Sequence, residues 1–129
     1  MAITQAVANS FKTEVLTGTH NFTATTGNSF KISLYTNSAT LSKSTTAYTA
    51  SNEVSGTGYT ATGNTLTSVT PVLSSDTAVC DFADTSWTSA TITARGALIY
   101  NDTQSDKAVV VLDFGGDKTS TAGTFTIQF

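Results

Sequence analysis

The stretch Val109–Phe129, VVVLDFGGDKTSTAGTFTIQF, decides how the second half of the chain is read. Asp113-Phe114-Gly115 spells the metal-binding tripeptide of a protein kinase, and Gly116-Asp117-Lys118-Thr119-Ser120 has the look of a phosphate-gripping loop. A phosphate loop requires Gly-x4-Gly-Lys-Ser/Thr between a strand and a helix, so that backbone N–H groups and a helix N-terminus meet the phosphates. Here Lys118 follows Asp117, and Thr121-Ala122-Gly123 leads into another strand-like segment. A kinase would also need a glycine-rich loop, a His-Arg-Asp and a far longer chain. The stretch is therefore read as two strands, Ala108–Phe114 and Thr124–Phe129, joined by a Gly115–Gly123 hairpin loop.

Working outward, the rest of the second half has the same character. Leu66–Leu73, Ala78–Ala83, Ala90–Ala94 and Ala97–Asn101 read as further strands. Turn-rich connectors separate them at Ser74-Ser75-Asp76 and from Asn101 to Asp106, as expected between antiparallel neighbours. Pro71 marks a bulge or an edge strand, since proline cannot donate to a ladder. Gly96 suggests a bulge, with Arg95 aimed at a carboxylate of this or another chain. In the first half, Phe30-Lys31-Ile32-Ser33-Leu34-Tyr35 alternates, which points Phe30, Ile32 and Leu34 inward and Lys31, Ser33 and Tyr35 outward. Between Thr36 and Thr65 runs a polar stretch whose length calls for a purpose or for short strands of its own.

One helix is expected, between Ile3 and Leu16. Ile3, Val7, Phe11 and Val15 fall four apart along one helical stripe, and Gly18 follows as a stop signal. Ser10–Leu16 is its firmest part, and the first residues suit an extended arm equally well. The expected fold is all-β: an antiparallel β-sandwich of about six to eight strands with one short N-terminal helix. Residues 1–28 form an arm, helix and loop, and residues 29–129 the sandwich.

Composition agrees. The chain has 129 residues, only 12% of them charged, and a single proline. Thr and Ser make up about a third of it, which suits strands whose hydroxyls face water where charges would usually sit. The net charge is −3 and the six Lys and Arg are scattered, so no basic patch exists to displace counterions from nucleic acid. No apolar run approaches the roughly 20 residues that span a bilayer. Met-Ala-Ile-Thr-Gln lacks the basic and apolar regions of a secretory signal. Cys80, the single cysteine, permits no internal disulfide and reads as a small buried residue sharing a face with Ala78 and Phe82.

Candidate chemistry is sparse. His20 has no second His or Cys at zinc-ligand spacing and is read as a surface or capping residue. Asp81, Asp84, Asp102, Asp106 and Asp113 lack the tight spacing of a calcium loop. No nucleophile elbow is present, and no carboxylate pair stands out. The reading is no catalytic residue, no cofactor and no metal. Trp87 either plugs one end of the core or joins Tyr35, Tyr48, Tyr59 and Tyr100 as a sugar-stacking platform or interface hot spot. The partner-binding candidates are Ile3, Val7, Phe11, Tyr48, Tyr59, Trp87, Arg95 and Phe129.

Four blocks then give a resemblance. Phe30–Thr36 (FKISLYT), Tyr48–Tyr59 (YTASNEVSGTGY), Gly96–Asp102 (GALIYND) and Asp113–Gly116 (DFGG) occur in that order. Together they resemble a group of small virion proteins of tailed bacteriophages and prophages, over nearly the whole chain from Phe11 onward. The resemblance implies a non-enzymatic β-sandwich that binds the major capsid protein or other virion subunits. Capsid decoration on the shell exterior is the leading placement, with a tail or fibre component second. It also implies synthesis in a bacterial cytoplasm, many copies per particle and a homo-oligomer such as a trimer. A carbohydrate-binding module for host attachment is the competing class.

Overall fold

The computed structural model describes residues 2–129. In chain order the elements are β1 (Ala6–Val7), α1 (Asn9–Leu16), β2 (Phe30–Tyr35), β3 (Asn64–Thr65), β4 (Ser68–Ser74), β5 (Thr77–Phe82), β6 (Thr85–Asn101), a 3-10 turn (Asp102–Gln104) and β7 (Lys107–Ile127). The fold is all-β with one short helix. Five strands form a sheet in the order β1-β7-β6-β2-β3, and β4-β5 form a separate two-stranded ribbon. Every pair of named strands is antiparallel.

The Val109–Phe129 stretch is not a hairpin. β7 runs unbroken for 21 residues and pairs with β6 from Asn101↔Lys107 to Thr85↔Ile127. The hairpin turn lies earlier, at Asp102–Asp106. There the Asn101 side chain accepts from the N–H groups of Thr103 and Gln104, and Ser105 and Asp106 take left-handed φ of 54° and 59°. The expected Gly115–Gly123 loop is instead a strand bearing bulges. Its threonines pair across the sheet, as in the 2.9 Å Thr93–Thr119 and 2.8 Å Ser86–Thr126 hydroxyl contacts. Thr is β-branched and suits a pleated surface even in polar company. Likewise Ala90–Ala94 and Ala97–Asn101 are parts of one strand, β6.

The glycines bend this hairpin rather than end it. Between Gly96↔Asp113 and Ala94↔Lys118, two steps along β6 face five along β7. The surplus bulges out at Phe114–Asp117, where Gly115 has φ +77° and Asp113 Oδ1 accepts from the Gly115 N–H at 2.9 Å. Gly96 lies opposite, as expected for a bulge, and any Cβ there would sit 2.5 Å from the Leu112 carbonyl oxygen. Length requires the bend. Seventeen extended residues would span roughly 56 Å, against roughly 36 Å for a compact domain of this size. The distal half folds back, so Trp87, Ala90 and Ile92 share one core with Phe30, Ile32 and Leu34. Thr91 N–H donates to the Thr57 carbonyl at 2.9 Å and Asn64 Nδ2 to Thr85 Oγ1 at 3.0 Å, which close the two layers into a sandwich-like body.

Both faces of the central sheet are covered, contrary to the alternation read for β2. Ser33 and Tyr35 are fully buried, in the layer with Leu98, Tyr100 and Val111. The cover is the N-terminal arm together with residues 39–48. Ile3 bridges Leu41 in parallel, Ala8 N–H donates to the Val109 carbonyl and Asn9 N–H to the Lys43 carbonyl. Of the two readings open for the first residues, the extended arm is the one found, and the helix is confined to Asn9–Leu16. Residues 3–7 are extended because their backbone groups find partners at the sheet edge, while an isolated helix of this length is marginal. Of the stripe, Ile3 is buried from the extended arm and Phe11 packs inward from the helix; Val7 and Val15 are exposed. Gly18, with φ +77°, follows the helix end as anticipated.

The ribbon stands apart. Its turn is Ser75-Asp76, and its base packs Phe82 against Phe30 (5.8 Å) and Phe129 (5.6 Å). Three steps along β4 (69 to 72) face two along β5 (81 to 79), so Pro71 does lie in a bulge. Beyond Phe82 the ribbon is touched by the Ala24 N–H, which donates to Thr70 Oγ1 at 3.0 Å, but its residues from Val69 to Asp81 stay exposed. Cys80 is exposed, against the expectation of a buried thiol, because this hairpin projects instead of closing over the core.

Candidate functional site

The long Thr36–Thr65 segment is organised by one carboxylate. Tyr48 Oη donates to Glu53 Oε2 at 2.5 Å, Tyr59 Oη to Glu53 Oε1 at 2.7 Å, and Thr62 N–H to Oε1 at 2.8 Å. The Leu34 N–H in turn donates to Tyr59 Oη at 2.9 Å, tying the segment to β2. Tyr35 and Tyr100 reach the same segment, donating to the carbonyls of Thr49 (2.7 Å) and Thr62 (2.6 Å). Burial pushes all four phenols up, Tyr35 to about 12, and the Glu53 charge raises Tyr35, Tyr48 and Tyr59 further. The four tyrosines thus point inward and form no outward platform. Glu53 went unnoticed in the sequence, although it is the single acidic residue of that segment and lies between Tyr48 and Tyr59.

His20 is buried, not a surface residue. Asn101 Oδ1 accepts from the backbone of Thr103 and Gln104, which turns its Nδ2 toward His20 Nδ1 (2.9 Å) and Asn28 Oδ1 (3.0 Å). An amide nitrogen only donates, so Nδ1 accepts and Nε2 carries the proton, which it gives to Glu14 Oε1 at 2.9 Å. The imidazole pins α1 to the β6–β7 turn. Among the described residues no group of three or more His, Cys, Asp or Glu is gathered to hold a metal. No helix is long and apolar enough to cross a membrane.

The other candidates scatter. Trp87 is 4% exposed and packs on Tyr59 (5.9 Å) and edge-on to Phe125 (6.1 Å), which makes it the core plug. Arg95 Nε donates to Asp113 Oδ1 at 3.1 Å within the chain, and the Gly115 N–H, with that guanidinium, holds the Asp113 carboxyl below its usual range. Ile3 is buried where the arm meets Leu41 and the sheet, and Phe11 packs 4.8 Å from His20. Val7 and Phe129 are exposed, at 43% each, and Arg95 is partly so.

Two features lie outside the set chosen from sequence. The first is the ribbon, where Val69, Val72, Leu73 and Val79 are all exposed. Register places Leu73 beside Ala78 on one face and Val72 beside Val79 on the other, so the ribbon is apolar on both faces. The second is an open groove of about 560 Å³ at the bend of β7, with Leu112, Phe114, Phe125 and Ile127 in its lining and Lys118 among its polar members. β1 covers β7 only at Val110 and Val111, so past Leu112 its outer edge has no neighbouring strand. In sequence, the ribbon was visible as apolar residues around Pro71, but not its separation from the core. In comparisons with known proteins no family model matches the chain, and neither a curated protein nor a solved structure does.

Proposed function

We propose that this chain is a non-enzymatic structural subunit of a tailed-phage particle, placed on the capsid exterior as a decoration protein that stabilises the shell. The observation that carries the reading is the β4–β5 ribbon, which keeps four large aliphatic side chains in water on both faces. A two-stranded hairpin is marginal alone, and contiguous exposed apolar surface marks an interaction site. A subunit whose folding is completed by its neighbours has this form. The weakly charged Thr/Ser surface supports the reading, because many copies pack side by side with little mutual repulsion. Symmetry then multiplies a modest contact into firm attachment. The inward tyrosines and the buried Trp87 leave the carbohydrate-module alternative without a row of aromatic rings to stack on sugars.

The test is addition of purified protein to expanded capsids that lack it. Saturable, symmetric density on the shell and survival to higher temperature are expected. Absence of shell density, with gold-labelled protein found on the tail, would move the chain to the tail or fibre and refute the decoration role.

A further inference from the structure

We propose that the partner of the ribbon is a second copy of this chain, whose β7 edge and groove receive it. The inference rests on the assembly reading for its purpose, while its physical basis lies in two unpartnered features of the chain itself. The first is shape. A ribbon apolar on both faces is not satisfied by lying on a flat surface, since one face would stay wet; it fits an inset site. The groove at the β7 bend is inset and lined by Leu112, Phe114, Phe125 and Ile127.

The second is backbone chemistry. β4 and β5 pair only with each other, so each has a free edge, and β7 beyond Leu112 has one as well. Gln5 Oε1 accepts from the Asp113 N–H at 3.1 Å, which ends the covered part of that edge. Strand addition joins two such edges by main-chain hydrogen bonds and lets alternate side chains select the partner. Charge agrees, because the exposed ribbon tip carries Asp76 and, of the two charged residues in the groove lining, Asp113 is already paired with Arg95 while Lys118 has no ion-pair partner among the described residues. Copies linked this way either exchange ribbons reciprocally about a twofold or close head-to-tail into a ring.

The test uses the purified full chain. Sedimentation velocity should show concentration-dependent association, weakened at least 10-fold by Val72→Asp with Leu73→Asp. Circular dichroism and melting temperature should stay unchanged, since neither side chain touches the core. Asp76→Lys and Lys118→Asp should each weaken association several-fold, and the double exchange should restore it. With Thr124→Cys in the groove, oxidised glutathione should link that thiol to Cys80 of another chain, as mapped by mass spectrometry. A monomer at every concentration overturns the proposal. So does a Cys80–Cys80 link in the unmodified protein, which would mean that ribbons pair with ribbons. Self-association through the groove without shell binding would leave this inference standing and remove the virion role; shell binding by a strict monomer would do the reverse.

Discussion

Raising the pH above 10 tests the tyrosine cluster directly. The chain has four tyrosines, and all four phenols are pushed up by burial, Tyr35 from 10.0 to about 12. A raised folded-state pKa means that the native state holds its proton where the unfolded chain has released it. The contribution to stability is therefore complete below pH 10 and is lost as pH rises toward 12. For Tyr35, fully buried, two units at 1.36 kcal/mol each remove about 2.7 kcal/mol. Tyr48, Tyr59 and Tyr100 add in the same direction, against a total stability of about 5–15 kcal/mol for a domain. The fold should give way before Tyr35 ionises in place.

Ultraviolet absorbance near 295 nm counts tyrosinates, and circular dichroism follows the sheet in the same sample. The expected record is one cooperative step between pH 10 and 12, in which all four tyrosines ionise as the sheet is lost. Ionising Tyr48 in place would put a phenolate 2.5 Å from Glu53 Oε2, which is why no early step is expected from that half-buried ring. Glu53→Gln removes the charge and should separate the events, with tyrosine ionisation beginning before the sheet is lost. Two or more tyrosines titrating near pH 10 in native protein that still carries Glu53 would refute the reasoning.

Three further substitutions probe packing. Gly63→Ala places a Cβ 1.8 Å from the Ile32 carbonyl oxygen at a φ of +78°; a loss of at least ~3 kcal/mol should appear as a melting point lower by about 10 °C. His20→Ala leaves the Glu14 carboxylate and the Asn101 amide without their shared partner, and should cost about 3 kcal/mol in urea denaturation. The Trp87 indole N–H is buried without a hydrogen-bond partner. Trp87→Phe therefore gives up packing but removes an unsatisfied donor; it should cost under about 1.5 kcal/mol, against about 3–5 kcal/mol for Trp87→Ala.

The sequence was legible where local chemistry and final geometry agree. Phe30–Tyr35 alternates and is a strand; Ser10–Leu16 lies within the helix; Pro71 sits in a bulge; Asn101–Asp106 holds the β6–β7 turn. It misled where one residue type serves two geometries. Gly115-Gly116-Asp117 suits a hairpin turn and a bulge equally, because both use positive φ and a carboxylate that caps backbone N–H groups. The choice was made by β6, whose own Arg95-Gly96 bend lies opposite, some twenty residues away in sequence. The covered second face was illegible for a related reason. Ser33 looks like an outward residue, and only the return of the arm and of residues 39–48 buries it. Glu53 is the hub of its segment through contacts that run five to nine residues along the chain, a spacing with no helical or strand period to reveal it.

The bend that makes the core also makes the groove. Folding β6 and β7 back on themselves brings Trp87 and Phe125 over β2, and it leaves β7 an outer edge that β1 is too short to cover. Proteins blunt such edges with charges, prolines or bulges, since a free edge invites another strand. Here the bulge at Phe114–Asp117 and Lys118 interrupt the edge, but the stretch from Thr119 to Ile127 beyond them has Thr and Ser where charges would protect. The ribbon is unguarded in the same way, with Asp76 and Asp81 its only charges. Two poorly protected edges on one small chain are an aggregation hazard unless each has a fixed partner. The proposed assembly would remove the hazard by pairing them with each other.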